Sequence, residues 1–311
     1  MAYHNVGTPR FFINIPEWLD ATGVESLPDI VFRTLPVEPR PGSLHFDPKV
    51  THLSDKSFVA WLGHESDGRQ LNIQRTYTST ININVGVTAG NEMIPSYNGF
   101  SIGSFNGTGL DTLEIYSAGD CGSVVIGTYY DMPHSPDLKL TMSREMDGVK
   151  RIRTKGGNDL VHHKYTKPPM WGRAAPWGIY GGEPIGQELA RSGRRVWDLS
   201  FSYLQDNDVF PELSSIEPYE STSAPDNAVP NDPYSDGDEW HIGATILDDD
   251  TFYNQVIHKT NGGQLPFIFQ PDGSNNSPDG FAICKFDMNS FEFEQVAKNI
   301  YNINLKIREV W

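Results

Sequence analysis

Tyr301-Asn302-Ile303-Asn304-Leu305-Lys306-Ile307-Arg308 alternates apolar and polar side chains without a break. Successive side chains of an extended chain point to opposite faces, so this period of two marks a strand with one buried face. The same signal recurs upstream. Trp197, Leu199, Phe201 and Tyr203 alternate with Asp198, Ser200 and Ser202, which predicts that Tyr203 shares the buried face. Thr80–Val87 and Asp137–Met142 alternate as well, and shorter apolar runs predict strands at Arg10–Asn14, Asp29–Leu35, Phe58–Leu62, Thr112–Tyr116, Ser123–Tyr130, Pro266–Gln270, Phe281–Phe286 and Ser290–Gln295. Turn dipeptides separate them: Asn98-Gly99, Asn106-Gly107, Asp147-Gly148, Asn261-Gly262 and Asp279-Gly280. The fold class these signals predict is mainly β, with antiparallel pairing.

Helical signals are few. Asp248-Asp249-Asp250 offers capping oxygens ahead of Phe252 and Val256, four residues apart on one face, and Asn261-Gly262 supplies a stop. Pro16–Thr22 predicts a shorter helix, with proline at its first position. Three proline-rich stretches, Pro36–Pro48, Lys164–Pro184 and Pro211–Asp238, read as loops or arms. Strand spacing predicts a β-sandwich over 51–149, inserted into a second β unit formed by 1–50 together with 150–311.

Composition narrows the function. The 311 residues include 29 Gly and 22 Pro, a turn-rich usage that suits short strands. No apolar run reaches the length of a membrane-spanning helix. Met1–Asn5 lacks the basic and apolar regions of a secretion signal, and Cys121 and Cys284 are too few for a disulfide framework, so synthesis in a reducing cytoplasm is expected. The net charge of −16 argues against a nucleic-acid partner. That charge is unevenly placed. Lys139–Arg195 holds 12 Lys or Arg against 5 acids, whereas Val196–His258 has no Lys or Arg, and Asp206–Asp250 carries 13 acids. Opposite patches on one chain are what a head-to-tail contact between copies needs. The residues expected at such an interface are Arg194 and Arg195, the basic group Lys150, Arg151 and Arg153, and Trp171 and Trp177, whose aromatic area would supply affinity.

Catalytic patterns are missing. No GxSxG, HExxH, GxxxxGKS or GxGxxG occurs. His162 and His163 are neighbours, which in a strand face opposite ways. Asp236-Gly237-Asp238-Glu239 and Asp206-Asn207-Asp208 have oxygen ligands of the kind calcium takes, without the spacing of a calcium loop. Cys121 has no adjacent cation to lower its pKa, and Cys284 reads as core. The chain is therefore expected not to be an enzyme, with no cofactor and no resident metal. A binding alternative is an aromatic platform for sugar rings formed by Trp171, Trp177 and Tyr180 beside Arg173.

Arg194–Leu204, the acidic loop after it, the helix opening at Thr251–Gln255, Pro266-Phe267-Ile268-Phe269-Gln270-Pro271-Asp272 and the closing Ile303–Trp311 follow one another in an order that resembles tail structural proteins of tailed bacteriophages, the distal-tail and baseplate-ring type. The resemblance covers about 195–311 and is carried by strand order and an arginine–tryptophan strand. It implies a virion structural protein assembled in the host cytoplasm. Such proteins form homo-oligomeric rings, often hexamers, that contact tail-tube and hub proteins. It further implies a β-barrel-like ring unit (1–50 with 150–311) and an outward galectin- or jelly-roll-like sandwich (51–149). The alternative is a carbohydrate- or receptor-binding β-sandwich module of the tail tip.

Overall fold

The computed structural model describes residues 6–23, 40–46, 53–62, 70–75, 79–85, 92–95, 100–108, 113–121, 123–138, 141–145, 150–162, 194–211, 250–276 and 280–310. Strands dominate them. In chain order they are β1 Arg10–Asn14, β2 Arg40–Phe46, β3 Ser57–Leu62, β4 Gln70–Arg75, β5 Ser79–Val85, β6 Glu92–Pro95, β7 Phe100–Phe105, β8 Leu113–Cys121 and β9 Ser123–Asp131. Then come β10 Thr141–Glu145, β11 Lys150–Arg153, β12 Asp159–His162, β13 Arg194–Gln205, β14 Phe267–Gln270, β15 Ala282–Phe286, β16 Phe293–Ala297 and β17 Ile300–Glu309. The fold is mainly β, as the alternation predicts.

Ten strands pair antiparallel in the order β10-β13-β17-β15-β14-β1-β9-β3-β7-β6, and β16 adds to the side of β17. Beyond β6 a parallel contact leads to β5, and antiparallel pairing continues through β4 and β8 to β2. Hydrogen bonding crosses both joins expected between the two units. β1 of the outer unit pairs with β9 of the inserted one, and β10 of the inserted unit pairs with β13 of the outer one.

The centre of the sheet explains its own sequence. Phe11, Phe12 and Ile13 do not alternate in polarity, because β1 is buried on both faces. Phe11 packs among Phe252, Phe267, Phe269 and Phe286, with ring centroids 5.2–6.0 Å apart. Phe12 faces the other way, 5.0 Å from Phe58. The first group belongs to a continuous core with Trp197, Leu199, Phe201, Ile303, Leu305 and Ile307, the inward residues of β13 and β17. Each such side chain contributes about 1.5–3 kcal/mol on burial. Gly127 lets β1 and β9 approach: a Cβ there would sit 1.9 Å from the Ile13 carbonyl oxygen.

The structure revises several expectations. Helix α1 spans Ile15–Ala21 with proline near its start, as expected. The second helix is a π-helical segment, Tyr253–His258, that buries Val256 and stops at Asn261, Gly262 and Gly263, all with positive φ. Its expected acidic cap is not used by Asp250, whose Oδ2 receives a hydrogen bond from Lys56 Nζ at 2.6 Å. Asp248 and Asp249 lie outside the described residues. So does the expected strand Asp29–Leu35. β2 lies within the proline-rich stretch expected to be a loop, and β10 begins four residues after Asp137. Among the described residues no helix is long and apolar enough to cross a membrane.

Candidate functional site

Arg195 illustrates why the residues expected at an interface divide into two groups. Its side chain is buried, 8 % exposed. Arg195 Nη2 donates to Glu309 Oε1 at 3.1 Å and to the Phe281 carbonyl at 2.6 Å, while its backbone N–H donates to Glu309 Oε2 at 2.8 Å. The guanidinium also lies 5.3 Å from the Trp197 ring. Strand pairing creates this arrangement: β17 lies between β13 and β15, so Glu309 is flanked by β13, which carries Arg195, and by its register partner Cys284 on β15. A buried pair held this way is part of the fold, and Arg195 is not available to a neighbouring copy. That corrects the interface expectation for Arg195. Arg194 is half-buried and stands opposite Glu145 in the β10–β13 register.

Lys150, Arg151 and Arg153 are placed quite differently. β11 and β12 form a separate two-stranded sheet, and all eight of their residues are exposed. The turn between them is closed by Thr154 Oγ1 donating to the Asn158 carbonyl at 2.9 Å. Arg151 Nε donates to Asp159 Oδ2 at 3.0 Å across the pair. Ile152 and Leu160 are register partners, 61 % and 62 % exposed, and Val161 is half uncovered on the other face. A two-stranded ribbon by itself is marginal in water. The ribbon carries four cations (Lys150, Arg151, Arg153, Lys155) against one acid, on a chain of net charge −16.

Trp171, Trp177 and Tyr180, with Arg173 and His163, lie outside the described residues, as do Asp236–Glu239. Asp206 and Asp208 follow the end of β13. They sit in a single helical turn, Asp206–Val209, where Asp208 Oδ2 accepts from the Gln205 backbone N–H. Among the described residues no three His, Cys, Asp or Glu side chains converge as a metal group. Cys284 is buried, which pushes its thiol well above the ordinary value.

A buried polar group at α1 was not legible in the sequence. Asn14 Nδ2 donates to Glu17 Oε2 at 3.1 Å. Burial raises the Glu17 carboxyl to about 7, against smaller lowering effects from Asn14 and Lys285. The His258 ring packs edge-on against Trp18 at 5.5 Å, and burial lowers its pKa.

The outer face of β13 and β17 holds the largest departure from the alternation. Phe201 pairs with Ile303 and Leu204 with Tyr301, so Ser202 and Tyr203 together oppose the single residue Asn302. The extra residue is a β-bulge, and it turns Tyr203 outward. Tyr203 is 75 % exposed at φ +64°, and Leu204 takes the buried place at 1 %. The expectation that Tyr203 faces the core is thereby corrected; a period-2 reading cannot see a bulge.

No family model, curated protein or solved structure matches the chain.

Proposed function

We propose that the chain is a non-enzymatic structural protein that assembles with copies of itself through the β11–β12 arm, as a ring component of the tail tip or baseplate of a tailed bacteriophage. The observation that carries self-assembly is the arm itself: a ribbon with both faces uncovered, an apolar pair at Ile152 and Leu160, and a charge opposite to that of the chain bearing it. Association between copies would supply packing that the described residues of one chain do not give it. Exposed acids among the described residues, Glu292 beside β16, Glu294 within it and Asp198 on β13, suit a basic arm arriving from a neighbour. The phage-tail assignment, with tail-tube and hub proteins as further partners, rests on the strand order resembling that family over about 195–311. Arg194, Trp171 and Trp177 keep their proposed interface role on sequence grounds; Arg195 does not.

Sedimentation of the intact chain and of an Ile152→Ser/Leu160→Ser variant tests this. The wild type is expected to associate at low ionic strength and to loosen as salt rises, because exposed ion pairs are screened. The variant is expected to stay monomeric with an unchanged melting temperature. A wild-type monomer at every salt concentration would contradict the proposal.

A further inference from the structure

The bulge at Tyr203 re-aims one aromatic side chain onto a polar sheet face, and the groups around it are specific. On that face Ser200 and Ser202 of β13 stand beside Asn302 and Asn304 of β17, while Leu199, Phe201, Ile303 and Leu305 point into the core. Tyr203 N–H donates to Asn302 Oδ1 at 3.1 Å, and Ser200 Oγ donates to Asn304 Oδ1 at 2.6 Å. Both amide oxygens are thus engaged, which fixes the two amides with their NH2 groups turned away from the partners that hold them. Among the described residues neither Asn302 Nδ2 nor Asn304 Nδ2 has an acceptor. Asp137 borders the same strand: its backbone N–H donates to the Ser200 carbonyl at 2.7 Å, and its Oδ2 accepts from Ser202 Oγ at 2.7 Å. Its second carboxylate oxygen is left as an acceptor.

We infer that this face binds a neutral saccharide. A sugar presents two chemistries, an apolar face of ring C–H groups and a rim of hydroxyls that both donate and accept. An exposed tyrosine ring matches the first, and it does so at little entropic loss because two torsions fix it. Orientated amide donors and a carboxylate acceptor match the second, and Asn302 and Asn304 lie about 7 Å apart along the strand, the spacing of alternate residues. Asp137, and Glu294 opposite Asn302, disfavour an acidic sugar at the same place, whereas Asp198 is offset by its register partner Lys306. The face is shallow, so affinity per site is weak, with a Kd of about 1 mM, and several copies in one assembly would multiply it. This reading does not rest on self-assembly through the β11–β12 arm, but the acids offered above to an arriving arm, Asp198 and Glu294, border the same face, so on one copy arm and sugar would compete for it.

The test uses the intact chain. An array of neutral oligosaccharides, terminating in glucose, galactose, mannose or rhamnose, identifies the best binder. That oligosaccharide is then titrated by calorimetry into the wild type and three variants. Tyr203→Ala is expected to weaken binding at least about tenfold and Tyr203→Phe by no more than about twofold, since the ring and not the hydroxyl carries the contact. Asn304→Ala is expected to weaken it several-fold, and because Asn304 is exposed it keeps the test valid if Tyr203→Ala folds poorly. The inference is overturned if no neutral oligosaccharide binds above background. It is overturned equally if binding survives Tyr203→Ala and Asn304→Ala, or if Tyr203→Ala weakens self-association instead.

Discussion

Arg195 and Glu309 show how a charged residue changes meaning with burial. Removing one partner leaves the other charge in the interior, which typically costs about 3–5 kcal/mol, whereas replacing both by apolar groups is often nearly neutral. Arg195→Ala is therefore expected to destabilise the protein by about that amount in urea denaturation, and Arg195→Met/Glu309→Leu by much less. Equal losses in the single and double variants would show that the pair is not a closed unit. Glu17 gives a pH dependence whose sign follows from its raised pKa. The native state holds a proton from the ordinary carboxylate range up to about 7 that the unfolded chain has released, so stability falls as pH rises across that window and is level above it. A shift of this size is worth about 3 kcal/mol. Relative to Glu17→Gln, the wild type is expected to lose ground between about pH 4.5 and 7; a constant difference across that range would remove Glu17 from the account. Neither residue was legible in the sequence. Arg195 follows Arg194 at the end of a basic segment and reads there as surface, because charge counts carry no information on depth. Glu17 reads as an ordinary first-turn acid.

At the scale of elements, the legible strands are those with one wet face. β17 is nearly complete in its alternation, and β13 is correct up to Phe201, where the bulge adds a residue. β1 and β14 were found as apolar runs, although both their faces are buried. β11 and β12 were missed for the opposite reason: Lys-Arg-Ile-Arg and Asp-Leu-Val-His have no buried face to impose a period. The π-helical segment was read as an ordinary helix because Phe252 and Val256 fit either winding at that length. The β1–β9 pairing depends on a single missing side chain. Gly127→Ala would drive a methyl into the Ile13 carbonyl, and strands separated there expose Phe11 and Phe12 together. A loss of about 3 kcal/mol or more is expected, read as a drop in melting temperature. A variant as stable as the wild type would mean that β1 and β9 tolerate a wider spacing.

For the whole molecule, the fold class was legible because antiparallel strands repeat a local signal many times. Hydrogen bonding links strands of the two expected units, from β1 into β9 and from β10 into β13. Of the proposed assembly surface, the basic composition of Lys150–Arg153 was visible in the sequence, and its isolation as an uncovered ribbon was not. The acidic chain and its basic arm together predict an association that is strongest at low salt and set in register by charge, with Ile152 and Leu160 at its centre. The central claim meets its most direct test in a native mass spectrum of the intact chain at low ionic strength, recorded beside the Ile152→Ser/Leu160→Ser variant. The account predicts a closed multimer of one defined order for the wild type and a folded monomer for the variant. A wild-type monomer, or a multimer that the variant forms equally well, would contradict it.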